Sequence, residues 1–266
     1  MIRDITLGQY YAGNTPIHRL DPRVKLVGTL LFIVELFLVE SFLGFGICAA
    51  ALAAVVFLSR VPLSFIFRGM KPILLILFFT FILNMFMVDG KTLMKIGPLT
   101  ATQEGLYLAV FMGVRLILLI ISSSLLTLTT KPISLTDGIE KLLAPLEKVG
   151  VKTHDIAMMM SIALRFIPTL LEEADKIMKA QQARGADFQS GGIISRAKAL
   201  IPILIPLFVG AFRIALELAM AMEARCYRGG VGRSRLHPMV LRRSDHVAIL
   251  LITLFFTLIL MLRIIW

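Results

Sequence analysis

The sequence predicts an all-α integral membrane protein with about five transmembrane helices and a cytoplasmic insert of long helices before the last crossing. Three observations carry this reading. Of 266 residues, 58% are hydrophobic, where soluble domains hold about 45–50%, and mean hydropathy is +0.86. Several apolar runs approach or exceed the roughly 17–25 residues that a helix needs to cross hydrocarbon. Lys and Arg are also unevenly divided among the segments between those runs, as in chains with one cytoplasmic face.

The first apolar run covers roughly 24–40 and the second 42–59, with hardly more than Ser41 between them. Before the first, Asp21-Pro22 reads as an N-cap followed by proline at the first helical position. Arg23 and Lys25 then anchor that helix at the membrane boundary. A third run, about 72–88, opens at Pro72, a favoured start because the first helical N–H has no partner. A fourth spans about 106–129 and stops before Lys131-Pro132, and the last spans about 247–265 after Arg242-Arg243.

Between the fourth run and the last, helices of another character are expected. Residues 134–149 begin with Ser-Leu-Thr-Asp and end at Gly150. From Thr153 to Arg184, apolar residues between Ile156 and Met178 recur at steps of three and four, which gathers them on one helix face. Glu172 with Lys176 and Asp175 with Lys179 are i,i+4 pairs elsewhere on that helix. At 1.5 Å per residue the rod is roughly 48 Å long, and Gly185 supplies a left-handed stop. A third helix, about 192–228, contains apolar residues 201–222, interrupted by Pro202 and Pro206 and carrying Arg213 and Glu217. It is read as lying at or near the membrane boundary, because a crossing there would carry the basic residues Arg225 to Arg243 outside. The chain thus divides into 1–130 with four transmembrane helices, a cytoplasmic domain at 131–246, and a final transmembrane helix at 247–266.

Charge orients the chain. Arg3, Arg19, Arg23 and Lys25 precede the first run, Arg60, Arg68 and Lys71 follow the second, and 131–246 holds 17 of the 28 Lys and Arg. The loop between the third and fourth runs receives only Lys91 and Lys95, beside Asp89 and Glu104. The N-terminus and insert are expected in the cytoplasm and the C-terminus outside, in a multi-pass protein of the cell membrane. These loops account for the net charge of +11, so no nucleic-acid partner is expected. No cleavable signal is expected either, the first membrane helix acting as its own insertion signal.

Catalytic signatures are missing from the sequence. There is no Walker motif, nucleophile elbow, zinc-protease helix or set of paired catalytic carboxylates. Cys48 and Cys226 fall on different sides of the hydrocarbon boundary, and no spacing suits a metal, with His154 lacking a second histidine. No catalytic residue, metal or bound cofactor is therefore assigned. Arg228 to Arg235 is glycine-rich and basic but lacks the ending of a phosphate-binding loop, so it reads as a linker at an anionic surface. Glu35 and Arg115 lie within apolar runs, where ionisable groups are costly, and are expected to pair with each other or with Asn84.

One pattern occurs twice. Ala183-Arg184-Gly185 and Ala224-Arg225-Cys226 each close a long helix of the insert. A cation in the last turn and a glycine after it would end any helix well. Two such ends in one insert suit a lever that plugs into another protein. Arginine is permanently charged, and its planar fork can hold a carboxylate or several carbonyls. Together with His18-Arg19-Leu20-Asp21-Pro22-Arg23-Val24-Lys25, the two ends resemble the T component of energy-coupling factor transporters, over essentially the whole chain. The resemblance implies a non-catalytic scaffold of a vitamin or micronutrient importer. It implies two cytoplasmic ABC-type ATPase subunits, which bind ATP and Mg, and one small substrate-binding membrane protein, the S component. The helices of the insert would be coupling helices, with Arg184 and Arg225 docking on the ATPases. Cys226 departs from the motif's glycine, so the second helix is expected to run slightly past Arg225. Two other readings compete: an autonomous secondary transporter or channel, which would need intramembrane polar sites and repeats, and a membrane-embedded lipid enzyme, which would need a reactive cluster.

Overall fold

The computed structural model describes residues 10–96, 99–186, 188, 192–229 and 239–265. In chain order they form α1 (Pro16–Arg19), α2 (Pro22–Leu38), α3 (Phe42–Ser59), α4 (Leu63–Met87), a hairpin of β1 (Thr92–Ile96) and β2 (Leu99–Thr102), α5 (Gln103–Thr129), α6 (Pro132–Leu143), a 3-10 stretch (Ala144–Val149), α7 (Thr153–Ala183), α8 (Ile193–Ala224) and α9 (Arg243–Ile265). The short antiparallel hairpin is an addition to the expected helices. Two compact units emerge, one within Gly8–Gly138 and Pro238–Trp266, the other within Ile139–His237. Arg3 and Gly230 to Arg235, named above, lie outside the described residues.

Local chemistry sets the helix starts. Asp21 caps α2 by accepting the Arg23 N–H at 2.9 Å, with Pro22 at the first helical position. Ser41 caps α3 through the Gly44 N–H at 3.2 Å, ending a connection of three residues, Val39 to Ser41, between α2 and α3. Thr102 caps α5 through the Gly105 N–H at 3.0 Å and donates its own hydroxyl to Val88 O at 2.6 Å. The α4 start differs from expectation: the helix begins at Leu63 and passes through Pro72. Arg68 and Lys71 hid its first turns, because a hydropathy reading stops at charges that a helix outside hydrocarbon tolerates.

In the first unit α5 packs against α2, α3 and α4, and α2 also packs against α9. The shared core includes Leu36, Phe45, Cys48, Phe111, Leu118, Leu125, Leu128 and Ile259. Close approach needs small residues. A Cβ on Gly105 would stand 2.8 Å from both the Asn84 and Met85 carbonyl oxygens, and one on Gly28 would stand 2.8 Å from Ile252 Cδ1. The outward faces stay apolar, with Phe57 85% and Leu250 64% exposed, as suits helices solvated by lipid.

The chain is an all-α integral membrane protein: α3, α5, α7, residues 198–224 of α8, and α9 are each long and apolar enough to span a membrane. The number five agrees with expectation, but the set differs. At 17 residues α2 lies at the lower limit of the roughly 17–25 residues that a span needs, and α4 runs for 25 residues, with Ile73–Met87 a shorter apolar stretch among the described residues. Conversely α7 and α8, read from sequence as insert helices, qualify by length and composition.

The expected pairing of Glu35 and Arg115 does not occur among the described residues. Glu35 is 1% exposed. Arg115 instead donates to Val39 O at 3.0 Å, the carbonyl closing α2, with its guanidinium 5.5, 5.6 and 5.1 Å from the ring centres of Phe37, Phe45 and Phe111. A helix C-terminus and three aromatic faces supply negative potential to the guanidinium. Asn84 donates to Thr80 O within its own helix.

A polar clasp closes one end of this unit. The buried carboxylate of Asp245 accepts the Asp21 N–H at 2.8 Å and the Arg242 N–H at 2.7 Å, joining the starts of α2 and α9. The Lys25 ammonium donates to Thr129 O at 2.9 Å and His18 O at 3.1 Å, and the Tyr11 N–H donates to Leu128 O at 2.9 Å. The last carbonyls of α5, which a helix leaves without partners, thus receive a cation and an amide. His18 Nε2 bonds to Tyr11 O at 3.1 Å. A carbonyl can only accept, so Nε2 carries the proton and Nδ1 accepts from the Thr15 hydroxyl at 2.6 Å. Burial pushes the His18 pKa down, which favours this neutral form.

Two outcomes follow for stability in detergent. Asp245→Ala leaves two backbone N–H groups without their acceptor, a loss of about 2–4 kcal/mol, and should lower the thermal midpoint by about 5–10 °C. Gly105→Ala should destabilise more than Gly28→Ala, by about 1–3 kcal/mol. Backbone carbonyls cannot retreat from a methyl group, whereas the end of Ile252 can turn; equal midpoints would contradict the packing described.

Candidate functional site

The second unit is built on the pairing of α7 and α8. Their direction follows from contacts near both ends. Met158 and Ile162 of α7 face Leu218 and Met222 of α8 across one pocket. Farther along, the Gln181 side chain reaches Pro202 O at 3.5 Å. Residue numbers rise on α7 as they fall on α8, so the two helices are antiparallel. From Met158 to Gln181 the rise is about 35 Å. Arg184 and Arg225 therefore stand at opposite ends of the pair, which the sequence alone did not reveal.

Both arginines occupy the same local structure. Ala183 and Ala224 are the last helical residues, and Arg184 and Arg225 are the C-caps, with φ/ψ of −86/5 and −93/15. Gly185 and Cys226 follow in the left-handed region at φ 88 and 56. At the first end, Gly185 N–H bonds to Gln182 O and Ala186 N–H to Gln181 O, both at 3.0 Å. At the second, Cys226 N–H bonds to Glu223 O at 2.8 Å and Tyr227 N–H to Met222 O at 3.0 Å. This is one helix-ending motif used twice. The expected extension past Arg225 is corrected: α8 stops at Ala224 because the backbone hydrogen bonds hold Cys226 left-handed, at a cost of roughly 1–2 kcal/mol for a residue with a Cβ. Among the described residues neither Arg184 nor Arg225 forms an ion pair.

The apolar face expected on α7 is only partly covered. Thr153, Ala157 and Ala174 are buried, while Met159 is 59% exposed. Asp175 and Lys179 pair at 2.8 Å as the spacing suggests, but Lys176 turns to Glu173 at 3.8 Å rather than to Glu172. The α7 start is tied down by hydrogen bonds from Thr153 Oγ1 to Glu147 and between His154 Nδ1 and Glu140, the latter at 3.1 Å.

The residues read as a membrane-boundary anchor belong to the clasp of the first unit. The Asp21 carboxylate receives the Arg23 guanidinium through Nε at 3.0 Å and Nη2 at 2.8 Å, in addition to the cap bond. The Arg23 side chain holds the Asp21 pKa below the usual carboxylate range, against the opposing effect of burial. A depressed folded value means a stabilisation complete above the ordinary range and lost as pH falls through the folded value. Lys25 points to backbone carbonyls rather than outward, and Pro22 fills the first turn of α2 at the N-cap Asp21. Sequence reasoning missed Asp245, the acceptor that completes this clasp. Its signal was only an acid in the first turn of an apolar helix, which ordinarily signifies no more than a favourable helix dipole.

Among the described residues no three His, Cys, Asp or Glu side chains cluster as metal ligands. The arrangement places two exposed arginines in the same C-cap geometry at the ends of two long helices.

A family model described as CbiQ, cobalt transport protein, matches residues 13–238. Proteins named energy-coupling factor transporter transmembrane protein EcfT are similar throughout. That of Thermosediminibacter oceani is 55% identical, covering 93% of each chain. That of Acidaminococcus fermentans is 51% identical over 99% of this chain and 98% of its own, and that of Bacillus subtilis 47% identical over 92% and 93%. With repeated motif, helical membrane fold and near full-length similarity in agreement, the chain belongs to the CbiQ family, together with these transmembrane proteins of energy-coupling factor transporters.

Proposed function

We propose that this chain is the non-catalytic scaffold and coupling subunit of an ATP-driven importer of vitamins or other micronutrients. Two ABC-type ATPase subunits, which carry ATP and Mg, dock at Arg184 and Arg225. Their movement passes through α7 and α8 to a small substrate-binding membrane protein, the S component. The N-terminus and the α7–α8 pair lie on the cytoplasmic side and the C-terminus outside, so 131–246 acts as a coupling domain between transmembrane segments.

The observation that carries this reading is the duplicated helix end. Two arginines without ion-pair partners among the described residues occupy the same C-cap geometry at opposite ends of an antiparallel pair. An isolated helix stop would need neither the repetition nor the separation. The repeated motif fixes the backbone at each arginine, so the chain itself need not order on docking. The names of the relatives point to the same transporter class. The family description mentions cobalt, but substrate choice belongs to the S component in this reading.

The test is binding and uptake. Arg184→Ala with Arg225→Ala should insert normally into membranes yet weaken ATPase binding at least about tenfold, a change of 1.4 kcal/mol, and abolish ATP-driven uptake. Undiminished binding would remove the docking role. At the second end, Cys226→Gly should preserve coupling because it keeps the left-handed turn, whereas Cys226→Val should impair it, since a β-branched residue opposes positive φ. Reconstituted alone, the chain should move no solute; transport by the isolated protein would favour the autonomous transporter instead.

A further inference from the structure

The pocket between α7 and α8 has a volume of 450 Å³ and lies directly beside Arg225. Met158 and Ile162, one turn apart on α7, and Leu218 and Met222, one turn apart on α8, supply half-buried apolar walls, while the exposed Arg225 and Arg228 stand at its edge. The Tyr227 hydroxyl reaches Met158 Sδ at 2.9 Å, bracing the wall from the chain just past α8. Among the described residues no acidic side chain lines the pocket, and neither arginine forms an ion pair. This is a recess with apolar walls from both helices and two cations at its edge, neither in an ion pair among the described residues.

Charge and shape together define an occupant. The walls gain by covering apolar surface, and the two planar forks gain by holding a carboxylate. A purely apolar ligand would leave the forks without an acceptor, and a purely acidic one would leave the walls wet. We propose that this pocket receives an apolar side chain from the ATPase subunit on which Arg225 docks, with a carboxylate of the same partner segment held by Arg225 and Arg228. The proposal rests on the docking reading and adds a reciprocal element. The partner accepts this chain's helix end, and this chain accepts a partner side chain, as in a packed interface centre.

The experiment uses the complete transporter complex with a diazirine-bearing leucine at position 218, irradiated and analysed by mass spectrometry. The expected cross-link is to an ATPase peptide in which an apolar residue lies within a few positions of Asp or Glu. Cross-linking only to lipid, to a second copy of this chain, or to no protein would overturn the proposal. A second measurement uses Leu218→Trp, which fills the recess, and Ile162→Phe, which fills it from the opposite helix. Whichever of these retains the parent thermal midpoint should bind the ATPases at least about tenfold more weakly, while Leu218→Met binds normally. If the two arginine substitutions weaken binding and the filled pocket does not, the pocket proposal fails alone. If the arginine substitutions have no effect, the docking reading fails with it.

Discussion

The first unit depends on the partnering of backbone groups where α2, α5 and α9 meet at one polar end. A helix ending in an apolar surrounding leaves carbonyls that lipid cannot satisfy. Here the last carbonyls of α5 receive the Lys25 ammonium and the Tyr11 amide, while one buried carboxylate, Asp245, gathers amides from two chain segments more than two hundred residues apart in sequence. Without this clasp the same apolar side chains could still cluster, but helices sliding in lipid would have little to fix their register, since lipid tails are as apolar as leucine. The clasp supplies direction where the hydrophobic effect cannot.

Arg115 solves a related problem inside the bundle by a different route. A guanidinium within an apolar helix ordinarily calls for a carboxylate, and Glu35 was the evident candidate. The carbonyl that closes α2 and three aromatic faces take that place. Sequence spacing can say that two charges share a membrane; it cannot rank a salt bridge against a helix terminus, because that choice depends on which ends of which helices come together.

The same limit separates what was legible from what was not. Apolar runs located α3 and most of α5 and α9, since helix length and hydropathy are local properties. The α4 start was misplaced at Pro72, because a proline that could begin a helix can also lie within one. For the candidate site, Ala183-Arg184-Gly185 and Ala224-Arg225-Cys226 were visible as a repetition of residue types. Equality of their geometry was not, because Cys226 lacks the glycine signal and is held left-handed by hydrogen bonds to Glu223 and Met222. Asp245 and the pocket beside Arg225 were hidden altogether. Each arises where distant segments pack, and neither leaves a periodic trace along the chain.

The antiparallel arrangement of α7 and α8 has a geometric consequence. Two rods of nearly equal length, 31 and 32 residues, running in opposite directions and finished by the same turn, are related by an approximate dyad midway along the pair. That operation exchanges Arg184 with Arg225. A single, unrepeated polypeptide thereby carries a local imitation of twofold symmetry, the commonest symmetry among protein assemblies. Its two arginine ends are equivalent in local geometry while the rest of its sequence remains free to be asymmetric.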